Sequence, residues 1–558
     1  MLEPASLRSA VEYGIKLEQL SRSYLLASKQ PLSWPLFHAE LIQMMQLDIP
    51  FFEHQIDSQE IPLPCGMKPV AGFMKAGGVS AAQLRLRNLN QAEIDFQQQL
   101  IRGAISARHL TANQANFKAA ASDQPAVSHA GLIANIYRQE AFRLGEELWT
   151  TAIRDRKGRP EWLGIDLVAD GESFFFGLIG PSLYSGFSGI ALLFARMAVA
   201  AMDADSDKWR QRAWACFEGL EELAMSSCID KLFRMVRDLP YGISGIGGII
   251  LALELMDDAQ LLEVSQLKSV LVQQLRPERI LLDEGVDVIG GVAGLIGPLL
   301  LQNQAQALAL AVACGDRLLS LQLDNGGWPS YWSKRNGRKR AWTGFSHGAA
   351  GMAAALARLA QASGEARFAD AARRALAYEQ RVFVSDQGNW PDFRRSDDPT
   401  HFMLSWCHGA PGILMSRLVI KATGIDDDQT AGEISAARIA TVEAMIRLSS
   451  TGTETSSHIC CGLLGLTSLL RVDAEISGVE LDPRVNKAER QVVTRALAIG
   501  AYTFSSVDTG SLDLPGLFTG KAGVAFSLLE AVAGQRWMPH VLSAGLLPTC
   551  WSPNSIAD

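Results

Sequence analysis

Long hydrophobic runs are missing from this 558-residue chain. None reaches the roughly 18 apolar residues that a membrane-crossing helix needs; the best, Ile289 to Leu301, is short and interrupted by Gly and Pro. A membrane span is therefore not expected. A basic excess is missing as well. The 51 Lys and Arg against 59 Asp and Glu give a net charge of −8, which offers no general reason to expect nucleic acid or an anionic membrane as a partner. Cysteine is sparse, eight in all, far too few for a disulfide scaffold. The N-terminal stretch has no basic start followed by an apolar core, which argues against secretion and for a cytoplasmic protein. In that reducing setting a cysteine cluster points to a metal site or to catalysis. What is present, 48% hydrophobic and 20% charged residues, is the composition of an ordinary globular protein, long enough for about two to four domains.

A Gly-x-x-Gly tetrad followed by an apolar run recurs seven times, at Gly186, Gly245, Gly291, Gly348, Gly409, Gly462 and Gly520. The first glycines stand 59, 46, 57, 61, 53 and 58 residues apart, a quasi-regular period that marks a repeat architecture. The stretches after the tetrads, such as IALLFARMAVAAM or VAFSLLEAVA, are apolar nearly all round and read as buried helices. Between them lie segments with a single apolar stripe, such as DKWRQRAWACFEGLEELAM and FADAARRALAYEQRVF, which read as outer helices. Each period then supplies one outer and one inner helix. The expected fold is all-α: a double-layered α/α toroid of seven inner and seven outer helices, with every tetrad at the same end of the inner ring. Residues 132–558 form this toroid; residues 1–108 read as a mostly helical segment, and the Ala-rich, polar stretch 109–131 as a linker.

The chemistry sits just before the tetrads. Cys407 precedes the fifth, in Trp406-Cys-His-Gly, and Cys460-Cys461 precede the sixth. Equivalent places in adjacent repeats should bring these thiols together although 53 residues separate the motifs. Three thiolates suit Zn²⁺ and leave the fourth tetrahedral position open to an exogenous ligand. Buried apolar cysteines are the bland alternative, and it suits Cys65, Cys216, Cys228, Cys314 and Cys550, which show no such register. His408 could replace Cys461 as a ligand or stand behind the ligands. His347, before the fourth tetrad, is a candidate general acid or base, and Asp287, four residues before Gly291, its companion. A zinc held by three thiolates is a poor Lewis acid, but a thiol that joins it loses its proton, which implies thiolate attack on an electrophile. The basic segment Lys334, Arg335, Arg338, Lys339 and Arg340 reads as a solvated loop, with attraction of an acidic leader peptide as the other possibility. Asn389-Trp-Pro-Asp-Phe-Arg394 places an Arg and aromatics near the fifth repeat.

At these residues the sequence resembles the lanthionine synthetase C-like cyclases. The tetrads, Asp287-Val-Ile-Gly-Gly, Phe345-Ser-His-Gly, the 389–394 motif, Trp406-Cys-His-Gly and Cys460-Cys-Gly look like that family's motifs, in its order, across residues 170–535. The resemblance implies a zinc cofactor held by Cys407, Cys460 and Cys461. It implies addition of a peptide Cys thiolate to dehydroalanine or dehydrobutyrine in a ribosomal precursor peptide, giving lanthionine or methyllanthionine. His347 is then the proton donor and Asp287 its companion. Cys-Cys-Gly resembles the three-thiolate subset of the bifunctional class II synthetases, and residues 1–108, with Asp48-Ile-Pro-Phe-Phe and Gln97-Gln-Gln-Leu-Ile-Arg, look like the tail of their dehydratase domain. No kinase-like phosphate site is found, so a separate dehydratase is a candidate partner. Where stand-alone cyclases carry an Arg before the first Cys and a Tyr after it, Met403 and His408 stand here. Two other functions remain open: thiol addition of the glutathione type, and a non-catalytic zinc-containing scaffold that presents a peptide to a dehydratase.

Overall fold

The computed structural model describes residues 9–26, 33–64, 66–109, 130–167, 174–201, 204–225, 229–258, 265–329, 340–394, 400–450, 456–504, 514–534 and 537–548. The chain divides into two compact units, residues 1–99 and 100–558. The first holds helices Ala10–Leu25, Trp34–Met45 and Gly78–Arg87 and the start of Gln91–His109. The Tyr13 hydroxyl donates to the Met44 carbonyl at 2.6 Å, tying its first two helices together. Most of the 109–131 stretch, Cys65, Cys228, Cys550 and the basic residues 334–339 lie outside the described residues.

The second unit is built as the repeats predict. Its inner helices are Phe187–Ala200, Ile246–Asp258, Ala293–Leu301, Ala349–Ser363, Ala410–Thr423, Leu463–Ser477 and Lys521–Ala533. Each packs on the next, and the seventh packs back on the first, so the ring closes. Their outer partners are Ala204–Ala215, Ser265–Gln273, Ala305–Leu321, Ala366–Val382, Thr430–Ser450 and Pro483–Ile499, each following its inner helix in sequence. The seventh inner helix is the exception, because its outer partner is Ala130–Thr150, the first helix of the toroid. Apolar residues on every face of the inner helices follow from being enclosed twice, by ring neighbours and by the outer layer; all nine residues of Ala293–Leu301 are buried.

Three details depart from the simple repeat. DKWRQRAWACFEGLEELAM, expected as one helix, breaks at Cys216–Phe217 into Ala204–Ala215 and Glu218–Met225, with Trp209 and Phe217 both buried. Two antiparallel strand pairs, Ile153–Arg154 with Pro160–Glu161 and Leu163–Leu167 with Phe174–Leu178, precede the first inner helix and hold the named strands among the described residues. Residues 537–548 fold into the ring itself. Trp406 Nε1 donates to the Leu542 carbonyl at 2.8 Å, Gly545 sits against Leu251 and Leu301, and a Cβ on Gly297 would come within 2.3 Å of the Ala544 oxygen. This segment touches the second, third and sixth inner helices as well as the fifth loop, and so plugs the axis.

The tetrad glycines start the inner helices. Gly409 has φ +78°, and a Cβ there would lie 1.7 Å from the Met403 oxygen; Gly465, one turn into its helix, is as close to the Ile459 oxygen, at 1.8 Å. What comes close is thus the loop just upstream, folding back over its own helix and presenting the residues before the tetrad toward the axis. A side chain at either position is excluded by backbone.

Buried ion pairs fasten the layers. Arg417 of the fifth inner helix bonds Glu379 at 3.1 Å and Glu433 at 2.8 Å, on the two outer helices flanking it, with both partners buried. One cation between two carboxylates needs only one of them charged. Burial accordingly raises Glu379 to about 7, against the pull of Arg417 and with the push of Glu433. A carboxyl raised above its unfolded value adds stability in full below the unfolded pKa near 4.5 and loses it as pH rises through about 7. Unfolding in urea should therefore show wild type losing up to about 3 kcal/mol more than Glu379→Gln between pH 5 and pH 8. Comparing the two slopes isolates Glu379 from Asp283 and Glu475, which burial also raises, to about 6 and about 7. Equal slopes would refute the assignment.

Candidate metal centre

The seven loops before the tetrads form the rim at the N-terminal end of the inner ring, and they are stitched by backbone hydrogen bonds. Ile243 N donates to Val288 O, Val288 N to Ser346 O and Ser346 N to Cys407 O, at 3.0 to 3.1 Å, linking loops two to five. Cys460 N donates to Phe518 O at 3.0 Å and Phe518 N to Tyr184 O at 2.9 Å, linking loops six, seven and one. Among the described residues no backbone bond joins loop five to loop six. There the link is made by sulfur.

Cys407 Sγ lies 3.3 Å from Cys461 Sγ, which is 3.4 Å from Cys460 Sγ, and all three fall within 4.8 Å of one another. Tetrahedral zinc with bonds of about 2.3 Å places its sulfurs roughly 3.8 Å apart. The three sulfurs would have to spread by a few tenths of an ångström. The donor set, three thiols on two loops with Cys461 exposed, thus fits zinc with one position left for a ligand from solvent. Thiol hydrogen bonds from Cys460 and Cys461 hold Cys407 well below the ordinary thiol range despite its burial, and the same bonds push Cys460 and Cys461 up.

Hydroxyls stand behind two of the sulfurs. Tyr184 donates to Cys460 Sγ at 2.8 Å, and Ser405 Oγ lies 3.1 Å from Cys407 Sγ. The Cys461 amide donates to His458 Nδ1 at 3.1 Å, which fixes the sixth loop. His408 is turned elsewhere: Nδ1 meets the Thr343 carbonyl and Nε2 the Ser346 hydroxyl, both at 3.3 Å. A carbonyl only accepts, so Nδ1 carries the hydrogen. Burial, with Arg394 adding, pushes this imidazole down to about 3, so it is neutral. His408 is placed behind the sulfurs, and the metal cluster does not include it.

His347 and Asp287 meet as the register predicts. His347 Nδ1 is 2.8 Å from Asp287 Oδ2, and Asp287 Oδ1 accepts from the Gly290 amide at 2.7 Å and the Gly291 amide at 3.2 Å. Burial alone would raise this carboxyl, but His347 and the two amides outweigh it and hold it below the usual carboxylate range. An ionised Asp287 fixes the Nδ1–H tautomer, and the His347 ring, partly exposed and stacked at 5.7 Å on His408, keeps Nε2 free for chemistry.

The 389–394 motif builds rather than reacts. Asn389 Oδ1 accepts from the Ala410 amide at 2.7 Å, capping the fifth inner helix from a distance, while its Nδ2 donates to the Met403 carbonyl at 3.1 Å. Trp390 and Phe393 are buried. Arg394 is held by Asp392 at 2.7 Å and reaches the Met403 sulfur at 3.0 Å; burial works against its charge, and the Asp392 bond outweighs it and raises its pKa. Arg340, the one described member of the basic segment, packs over the Phe393 ring at 3.7 Å. Cys216 and Cys314 are core residues. Sequence reasoning assigned no role to Tyr184 or Ser405 and did not foresee the capping by Asn389. A signal existed for Tyr184, which stands two residues before its tetrad, as Cys407 and Cys460 do.

No curated protein matches the chain by sequence. Among solved structures it is similar to nisin cyclase, at 19% identity and a TM-score of 0.51, over 74% of this chain and 98% of that one. Weaker likenesses, with TM-scores of 0.35 and 0.33, are to a cellobiose 2-epimerase from Spirochaeta thermophila (10% identity, 73% of this chain and 98% of that one) and an unsaturated glucuronyl hydrolase from Bacillus sp. GL1 (16% identity, 56% and 82%). The nisin cyclase likeness is one of fold, and agrees with the all-α toroid. The sequence profile of the family described as lanthionine synthetase C-like protein matches residues 178–542, which takes in all seven tetrads and all three clustered cysteines. By that match, extending over well more than half its length, the chain belongs to the lanthionine synthetase C-like proteins.

Proposed function

We propose that this protein is a zinc-dependent thioether cyclase that closes lanthionine or methyllanthionine rings in a dehydrated ribosomal precursor peptide in the cytoplasm. The observation that carries this reading is the convergence of Cys407, Cys460 and Cys461 on one rim, with the His347–Asp287 pair on adjoining loops. The three cysteines would hold the ion. When bound, zinc supplies a fourth position at which a peptide thiol gives up its proton. The thiolate adds to the methylene carbon of a dehydroalanine, the C=C bond opens, and negative charge develops on the α-carbon and its carbonyl. His347, anchored through Nδ1 to Asp287, takes up the thiol's proton at Nε2 and delivers it to that carbon. Asp287 keeps the ring oriented. The thiol's hydrogen is in effect moved to carbon, so no external reductant or oxidant is consumed.

Ring closure is an isomerisation and leaves the peptide mass unchanged, so the assay counts thiols that can still be alkylated in a pre-dehydrated peptide. Wild type should consume them, and His347→Gln should do so about a hundred- to ten-thousand-fold more slowly. Equal loss of thiols with and without wild-type protein would sink the proposal and leave a peptide-presenting scaffold. We also read residues 1–108 as a class II dehydratase-like segment, on Asp48-Ile-Pro-Phe-Phe and Gln97-Gln-Gln-Leu-Ile-Arg. On that reading dehydration is supplied by another protein or domain acting upon the same peptide.

A further inference from the structure

We infer that Tyr184 is a positioning residue of the metal centre: its phenol donates a hydrogen bond to the Cys460 sulfur, holds that sulfur in place and draws charge from it. The inference rests on the reading that the cysteine trio binds metal. Tyr184 comes from the first loop, 276 residues away in sequence from Cys460, and its Oη lies 2.8 Å from Cys460 Sγ. Its ring is stacked on Phe518 of the seventh loop, with centroids 4.9 Å apart and planes 13° from parallel. Phe518 is in turn bound through its amide to the Tyr184 carbonyl and through its carbonyl to the Cys460 amide. Backbone and ring together thus aim the hydroxyl at one sulfur. The phenol O–H is the donor, and the sulfur has lone pairs to accept it.

The chemistry of the site calls for such a donor. Three thiolates already overbalance a divalent ion, and an incoming peptide thiolate adds a further negative charge in a largely buried place. A hydrogen bond to a ligand sulfur spreads that charge and orients the lone pairs used for the metal, as outer partners of metal ligands do elsewhere. Two of the three sulfurs have a hydroxyl within reach, Cys460 through Tyr184 and Cys407 through Ser405. Tyr184 is the more informative of the two, because Ser405 also engages the His408 backbone.

Tyr184→Phe deletes the donor and keeps the ring on Phe518. Cobalt(II) is the probe, since its thiolate-to-metal charge-transfer band reports the electron richness of the sulfurs directly. The variant should show that band shifted to longer wavelength and should release zinc to a chelator at about ten- to a hundred-fold lower competitor strength than wild type. Site-specific replacement of Tyr184 by 3-fluorotyrosine, a stronger O–H donor of nearly the same shape, should move the band the opposite way, and it supplies the test if the Phe variant does not fold. A merely structural tyrosine would change the melting temperature and leave the band where it is. Wild type that binds cobalt with the band unmoved in the substituted proteins overturns the role of Tyr184 alone. Wild type that binds no cobalt overturns the metal centre itself, and the inference with it.

Discussion

Cys407→Ala should emerge folded but without its metal, and should close rings about a thousand-fold more slowly than wild type. Its sulfur lies 3.3 Å from that of Cys461 and within 4.8 Å of that of Cys460, and its loop is held to the fourth loop through the Ser346 bonds to the Cys407 carbonyl. Losing Cys407 leaves Cys460 and Cys461, neighbours on one loop and too few to hold zinc in a three-ligand site. Charge stabilisation by a catalytic ion amounts to several kcal/mol, and each 1.36 kcal/mol is a factor of ten in rate, so a thousand-fold loss is a modest expectation. Elemental analysis and the alkylation assay on the same preparation check both halves. A variant that keeps its zinc, or that loses zinc and still closes rings at the wild-type rate, would contradict the proposed site.

The second large effect concerns stability. Glu530, on the seventh inner helix, bonds Arg196 of the first at 2.5 Å, with side chains 0% and 2% exposed. Its other oxygen accepts the Trp537 and Met538 amides, each at 2.9 Å, and so starts the axial plug. One carboxylate therefore closes the ring and anchors the segment that fills it. Glu530→Ala leaves a buried guanidinium uncompensated, which costs about 3–5 kcal/mol, and strips two amides of their acceptor. Glu530→Gln keeps an acceptor and the volume, and should lose less. Denaturant unfolding of both variants decides the matter: an alanine variant within about 1 kcal/mol of wild type would show that the pair does not bear on closure, because surface pairs alone reach that range.

Much of this was legible in the sequence because repetition turns position into geometry. Seven tetrads in one register predict one rim, and the places one and two residues before each tetrad then predict that Cys407, Cys460, Cys461 and His347 share it. The His347–Asp287 bond follows the same logic, with the carboxylate drawn from the preceding repeat. Contacts that break the register were not legible. Asn389 caps a helix 21 residues downstream, Arg196 meets Glu530 across 334 residues, and the plug leaves the repeat pattern altogether. Such contacts depend on how the ring shuts, which no local pattern encodes. The strand pairs before the first inner helix were hidden for another reason: they are short, and Phe174-Phe-Phe carries no alternation of polar and apolar residues.

Because the toroid's first helix pairs with its last inner one, a nascent chain cannot shut the ring until residue 521 and beyond have left the ribosome. Counted from the first inner helix, at 5–20 residues per second, that wait is on the order of tens of seconds. Throughout it the protein is an open horseshoe, with the apolar flank of Phe187–Ala200 uncovered on one side. Such a chain is an obvious client for chaperones, and premature termination upstream of the seventh repeat should yield aggregates rather than a smaller working protein.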